Sequence, residues 1–93
     1  MKKYDEKTIQ SELKNHKGWS YIDDAIERNF VFADFKEAMM NMLRIAFEAE
    51  DMNHHPEWTN VYNKLKIRLR THSSDGITEN DFTLAKKINE LLD

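Results

Sequence analysis

The sequence contains no cysteine, one proline and two glycines among its 93 residues. Without cysteine the chain has no disulfide, no thiolate nucleophile and no cysteine ligand for zinc. With so little glycine and proline, it contains no flexible linker and no low-complexity segment. We therefore expect one domain over residues 1–93, held together by packing, since a chain of this length buries a single modest core.

The sequence also has no large net charge and no long hydrophobic segment. The chain has 14 basic and 17 acidic residues, a net charge of −3, and therefore no broad basic field for nucleic acid. No apolar run approaches the roughly 20 residues that span a bilayer, and residues 1–6 lack the apolar core of a signal peptide. We expect a soluble, cytoplasmic protein with no membrane partner and no direct contact with nucleic acid.

One basic stripe is the exception to this balance. Four basic residues would share a strand face: Lys64, Lys66, Arg68 and Arg70. Such a stripe could follow a phosphate backbone. However, charges on a solvent-facing strand more often protect it from aggregation, and no aromatic residue is interleaved on that face for base stacking.

Apolar residues recur at helical spacing in three segments, at about 5–15, 35–51 and 79–92. Asp34 stands where the second helix needs an N-cap. Thr78 followed by Asp81 is close to a capping box for the third helix.

The apolar stripe of the middle helix is unusually wide. Its centre comprises Phe35, Ala38, Met39, Met42, Ile45, Ala46 and Ala49, and it is widened by Met40, Leu43 and Phe47. Two interpretations remain open for a face of this width: contact with a partner subunit, or complete burial of a central helix.

Four strands are predicted between the helices, at 19–22, 25–32, 58–62 and 65–71. The fourth is the clearest, because apolar and charged residues alternate strictly along it, as in an antiparallel sheet covered on one face. The order α-β-β-α-β-β-α predicts an α+β fold. In this fold a four-stranded antiparallel sheet carries three helices packed on one face.

Most of the residues suited to proton transfer at neutral pH lie in or near one stretch, His54-His55-Pro56, with His72 downstream. Imidazole, with an unperturbed pKa of about 6.5, both gives and takes protons near neutrality. Pro56 is expected to end the middle helix, and helical spacing would then place Glu50, Asn53 and His54 on one face. The residues alone leave open whether these histidines form a site or a solvated turn. His16 is interpreted as a surface residue.

A zinc site is the weaker alternative for the same residues. His54, His55, His72 and Glu50 supply suitable ligand atoms. Adjacent side chains diverge, however, and the chain has no H-E-x-x-H pair of histidines. We therefore expect no metal.

The joint spacing of these residues resembles the pterin-4a-carbinolamine dehydratase family, and the resemblance covers residues 18–88. The motif runs Glu50-x-x-x-His54-His55-Pro56-Glu57-Trp58, then Asn60-Val61-Tyr62-Asn63, Thr71-His72, Gly76, Thr78 and Asp81. The resemblance implies dehydration of a 4a-hydroxytetrahydropterin to the quinonoid dihydropterin, without a metal or a bound redox cofactor.

The resemblance also implies roles for individual residues. His54 and His72 would form the acid–base pair, and His55 would bind and orient the pterin. The implied binding residues are Glu50, Asn53, Arg70, Thr71, Ser73, Trp19 and Trp58. Family members often carry aspartate where this chain has Asn53, which puts an acidic role there in doubt, and Asp81 is interpreted as a helix cap.

Partners follow from the same resemblance. A pterin is the expected small-molecule substrate, and the middle helix is expected to form a homodimer or homotetramer. In animals, family members also act as dimerisation partners of a homeodomain transcription factor, so a protein-binding module is the alternative function. A dehydratase-like protein acting on another pterin is a further alternative.

Overall fold

Three helices and four strands follow one another in the predicted order. The computed structural model describes all residues, 1–93. Its elements are α1 Glu6–Leu13, β1 Ser20–Ile22, β2 Ala25–Val31, α2 Phe35–Met52, β3 Glu57–Val61, β4 Lys64–Leu69 and α3 Glu79–Leu92, with a 3-10 helix over His72–Ser74. The predicted α+β class, with three helices and a four-stranded antiparallel sheet, is confirmed. No helix combines the length and hydrophobicity needed to cross a bilayer.

The sheet has the strand order β1-β2-β4-β3, and every neighbouring pair is antiparallel. The central pair places Ile26 opposite Leu69 and Phe30 opposite Leu65. Along β4, Leu65, Ile67 and Leu69 are buried and alternate with more exposed basic residues. This alternation shows that one face of the sheet lies on the core and the other meets solvent.

Two boundaries around β4 differ from the sequence-based prediction. The turn before it lies at Tyr62-Asn63 rather than 63–64, and Tyr62 adopts a left-handed φ of 51°. The strand ends at Leu69, two residues early. The reason is that Thr71 forms an isolated bridge with Gly76 and the chain between them winds into the 3-10 helix.

The helix caps form as predicted. The backbone N–H of Glu37 donates to Asp34 Oδ1 at 2.8 Å, which fixes the start of α2. At α3 both halves of the capping box are present, and the Thr78 N–H donates to Asp81 Oδ2 at 2.9 Å.

The middle helix is only partly covered. Ala38, Ile45 and Ala49 are buried against the core, but other residues of α2 remain exposed. The helix is therefore not completely buried. Five large side chains are between 43% and 65% exposed and form what we term the α2 apolar face: Phe35, Met39, Met40, Leu43 and Phe47. Phe35 and Met39, which belong to the centre of the predicted apolar stripe, are thus exposed in the isolated chain.

His16 is not the simple surface residue that the sequence suggested. Its ring is half-buried and lies against Phe82 of α3, with the ring centroids 5.0 Å apart. Burial lowers the pKa of His16 below 6.5, and Lys86 acts in the same direction while Glu12 opposes it. The folded state therefore favours the neutral imidazole.

We expect His16 to make the protein less stable in mild acid. Because its folded pKa lies below the unfolded value, its full contribution is present above pH 6.5 and is lost as the pH falls toward the folded pKa. His16→Leu, which keeps an apolar group against Phe82, should flatten this part of the dependence. Urea unfolding on either side of pH 6.5 measures how the free energy of unfolding depends on pH in each protein. The same pH dependence in wild type and variant would contradict this role of His16.

Candidate active site

The turn that ends α2 sets the directions of the two adjacent histidines. Asn53 adopts a left-handed conformation, φ 51° and ψ 43°. Its N–H donates to the Glu50 carbonyl at 3.0 Å, and the His54 N–H donates to the Ala49 carbonyl, also at 3.0 Å. This is a Schellman motif, and it stops the helix at Met52, before Pro56 is reached.

This turn separates the two imidazoles. His54 is 8% exposed and points into the fold, while His55 is exposed. The predicted cluster of Glu50, Asn53 and His54 on one helical face is wrong, because the helix ends before Asn53 and the i, i+4 relation no longer applies. Glu50 instead contacts His55.

Asn53 owes its residue type to this turn. Left-handed backbone costs an ordinary residue about 1–2 kcal/mol, whereas glycine adopts it freely and asparagine tolerates it. We expect Asn53→Ala to lower the free energy of unfolding by about 1 kcal/mol. Asn53→Gly should stay close to wild type. Denaturant melts of the two variants check this, and equal losses would show that the side chain matters rather than the backbone.

His55 lies on the wall of a surface cavity of about 450 Å³. Its Nε2 is 2.7 Å from Glu50 Oε1, one helical turn back along the chain. The cavity is lined by Ala46, Phe47, Ala49, Glu50, His55, Pro56 and Trp58. An apolar cavity of this size with one titratable pair on its wall is typical of a small-molecule site.

His54 belongs to a buried polar network instead. Its Nε2 lies 2.6 Å from Asp81 Oδ1, and Asp81 is fully buried. The other carboxylate oxygen of Asp81 accepts from the Thr71 hydroxyl at 2.8 Å. Thr71 Oγ1 is also 2.7 Å from Thr78 Oγ1. The network joins the end of α2, the segment after β4 and the start of α3.

The segment after β4 carries the remaining candidates. Thr71 is buried in the network, whereas His72 and Ser73 are exposed on the 3-10 helix. The Arg70 guanidinium pairs with the Asp75 carboxylate, and this hydrogen bond lowers the pKa of Asp75. Thr71 and His54 both hydrogen-bond the Asp81 carboxylate. His72 is the next residue after Thr71, so its segment is linked to His54 through Asp81.

The two tryptophans separate. Trp58, on edge strand β3, is half-buried and lines the His55 cavity. Trp19 precedes β1, at the opposite edge of the sheet, is 5% exposed and donates its indole N–H to Asn89 at 2.9 Å. The indole N–H of Trp19 thus binds a residue of α3. The structure does not bring Trp19 together with the other candidates.

Asp81 is the residue that sequence reasoning underestimated. It was interpreted as a cap, and it does cap α3, but it also holds His54. A signal was present in the sequence. Asp81 precedes Ala85 and Ile88 at i, i+4, i+7 spacing, so a carboxylate stands on the buried stripe of α3. A buried charge of this kind normally has a partner. No group of three or more histidine, aspartate or glutamate side chains is arranged to hold a metal ion.

The model of one protein family matches nearly the whole chain. It is described as "Pterin 4 alpha carbinolamine dehydratase", and it covers residues 2–91. The chain belongs to the pterin-4a-carbinolamine dehydratase family. The resemblance seen in the motif is thereby confirmed.

Individual members of the dehydratase family are similar over their full length. A protein of Christiangramia forsetii is 50% identical over 93 residues, covering 100% of this chain and 96% of the relative. One of Sulfurisphaera tokodaii is 49% identical over 92 residues, covering 99% of each. Both are named provisionally as pterin-4-alpha-carbinolamine dehydratases.

A solved crystal structure agrees with the fold. The protein from Brucella melitensis described as "transcriptional coactivator/pterin dehydratase" is 38% identical, with a TM-score of 0.95 over 99% of this chain and 100% of that one. The two proteins therefore share one fold over nearly the whole of both chains.

Proposed function

We propose that this protein dehydrates a 4a-hydroxytetrahydropterin to the quinonoid dihydropterin. Family membership supports the substrate class. The observation that carries the proposal is the His55–Glu50 pair on the wall of an apolar cavity. Phe47 and Trp58 line the same cavity and offer aromatic surface to a flat ring.

The chemistry requires two proton transfers and no electron transfer. The C4a–O bond breaks and the hydroxyl leaves as water, with a proton supplied by an acid. The ring nitrogen N5 loses its proton to a base, and the C4a=N5 double bond forms. The substrate loses one molecule of water and nothing is oxidised. Imidazoles near their pKa can serve both steps.

The placement of the histidines supports an assignment of the two proton transfers that differs from the one implied by the resemblance. His55 reaches the cavity and has Glu50 as its partner, so we assign it a direct proton transfer. His72 is exposed and follows Thr71, and we assign it the second transfer. His54 was implied as one of the acid–base pair. Its Nε2 is engaged by Asp81, so we assign its Nδ1 a contact with the substrate as a hydrogen-bond acceptor.

The remaining candidates supply binding rather than proton transfer. Glu50 orients His55, and Thr71 anchors the segment that carries His72. Arg70 and Ser73 flank this segment and would contact the polar edge of the pterin. Asn53 contributes through its backbone turn.

Stopped-flow mixing with chemically generated 4a-hydroxytetrahydropterin tests the proposal. Formation of the quinonoid dihydropterin should be faster with the protein than in buffer alone and should saturate with substrate. A rate equal to that of the uncatalysed reaction would overturn it. Saturable acceleration with a pterin that differs only at C6 would instead favour the alternative substrate.

The α2 apolar face supports a second function, association with another protein chain. Leu43 and Phe47 are 59% and 65% exposed, and contiguous exposure of this kind typically marks an interface. We infer that this face joins copies of the chain into a homodimer or homotetramer. Phe47 also lines the His55 cavity, so association would change the surroundings of the site.

Leu43→Glu should shift the protein toward monomers, because a carboxylate would be buried in the interface. Light scattering after size-exclusion chromatography measures the mass. Val31→Glu is the matched control, since Val31 is also apolar and 71% exposed but belongs to β2 rather than α2. A wild-type monomer would contradict self-association and favour a heterologous partner for this face.

A further inference from the structure

The buried network has a fixed direction for each hydrogen bond. Asp81 Oδ2 accepts from the Thr78 N–H at 2.9 Å and from the Thr71 hydroxyl at 2.8 Å. Because Thr71 uses its single proton on Asp81, the 2.7 Å contact between the threonine hydroxyls must be donated by Thr78. The N-terminus of α3 further favours a negative charge on Asp81.

This arrangement determines where His54 carries its proton. An ionised carboxylate only accepts hydrogen bonds, so the 2.6 Å contact between Asp81 Oδ1 and His54 Nε2 requires a proton on Nε2. In the neutral imidazole, the lone pair is then on Nδ1. Every buried side-chain nitrogen or oxygen has a hydrogen-bond partner in the fold, and His54 Nδ1 has none, so Nδ1 reaches the surface.

We propose that Asp81 is a positioning residue, which fixes the Nε2–H tautomer of His54 and presents Nδ1 to the pterin. This inference rests on the proposed dehydratase function for its effect on the rate, but not for the tautomer itself. Asp81 does not touch the substrate; it acts through His54.

The same carboxylate also sets the position of the second histidine segment. Thr71 donates to Asp81, and its backbone is bridged to Gly76, with the Thr71 N–H 2.8 Å from the Gly76 carbonyl. His72 follows Thr71 directly. One buried carboxylate therefore joins two histidine-bearing segments that are far apart in the sequence, which explains a fully buried charge in so small a core.

The first test measures the tautomer in the wild-type protein and needs no variant. Protein labelled with nitrogen-15 histidine is studied by long-range nitrogen–proton correlation NMR, and the His54 signals are assigned by their loss in His54→Gln. When His54 is neutral, it should be the Nε2–H tautomer. A neutral Nδ1–H tautomer would overturn the proposal, whether or not the protein dehydrates pterins.

The second test is Asp81→Asn. Two donors already face Oδ2, so the amide oxygen should remain there and the amide NH2 should face His54. Nε2 must then accept, and the imidazole proton moves to Nδ1. We expect this tautomer change together with a loss of kcat of about 10²- to 10⁴-fold, because a protonated Nδ1 can no longer accept from the pterin. KM should change much less.

Asp34→Asn is the matched control, because Asp34 also caps a helix but contacts no histidine. It should leave both the tautomer and kcat unchanged. If Asp81→Asn changes the His54 tautomer but leaves kcat unchanged, the positioning role is wrong. It is also wrong if the variant keeps both the wild-type tautomer and the wild-type kcat. If Asp81→Asn does not fold, the wild-type NMR measurement decides. A wild-type protein without dehydratase activity would instead refute the proposed function while leaving the tautomer measurable.

Discussion

Replacing His55 with alanine should lower kcat for pterin dehydration by about 10²- to 10⁴-fold, the range over which a positioned acid or base contributes. His55 is exposed, lines the cavity and pairs with Glu50. The substitution removes no core contact, so the melting temperature should change little. Stopped-flow rates and a thermal melt of the same preparation measure both quantities.

His16→Gln is the control for this substitution. It also removes one imidazole, but from the contact with Phe82 rather than from the cavity. Its kcat should match that of the wild type. Glu50→Gln should be intermediate, because the amide still hydrogen-bonds the imidazole but no longer carries charge. Full activity of His55→Ala would contradict the role assigned to His55 and return this proton transfer to His54.

Replacing His54 with alanine should lower the stability of the fold as well as kcat. Asp81 is fully buried, and His54 is its only basic side-chain partner. Removing the donor from a buried hydrogen bond to a charged group typically costs about 1–3 kcal/mol or more, because the carboxylate is left unsatisfied. In a small domain with a total stability of about 5–15 kcal/mol, this is a large share.

A double-mutant cycle separates this pairing from the loss of the helix cap. Asp81→Ala alone removes the capping box as well as the charge, and the double variant His54→Ala with Asp81→Ala leaves no uncompensated carboxylate. We expect the double variant to be clearly more stable than the sum of the two single losses implies. Urea denaturation gives all four stabilities. Strict additivity would show that the two side chains do not interact.

Local sequence signals were sufficient for the fold. The period of α3 and the cap at Thr78 predicted its bounds, and strict alternation predicted β4, because these features depend on neighbours in the chain. The end of β4 was misplaced by two residues. The bridge between Thr71 and Gly76 that ends it is a backbone pairing without a side-chain signature.

The site was predicted less completely, for two physical reasons. The left-handed turn at Asn53 sends His54 inward and His55 outward, and helical spacing cannot anticipate a reversal of this kind. The contact between His54 and Asp81 joins residues 27 positions apart, so it exists only after folding. The motif supplied the candidate residues, but the structure was needed to show that Glu50, His55 and Trp58 line one cavity.

The most direct test of the account is the position of a bound pterin. A stable oxidised pterin can be titrated into nitrogen-15 labelled protein, or soaked into crystals. We expect its ring in the cavity between Phe47 and Trp58, with a polar edge toward the His55 imidazole. Binding instead in the cavity of about 260 Å³ near Val31 and Val61, with no change at His55, would contradict the proposed site.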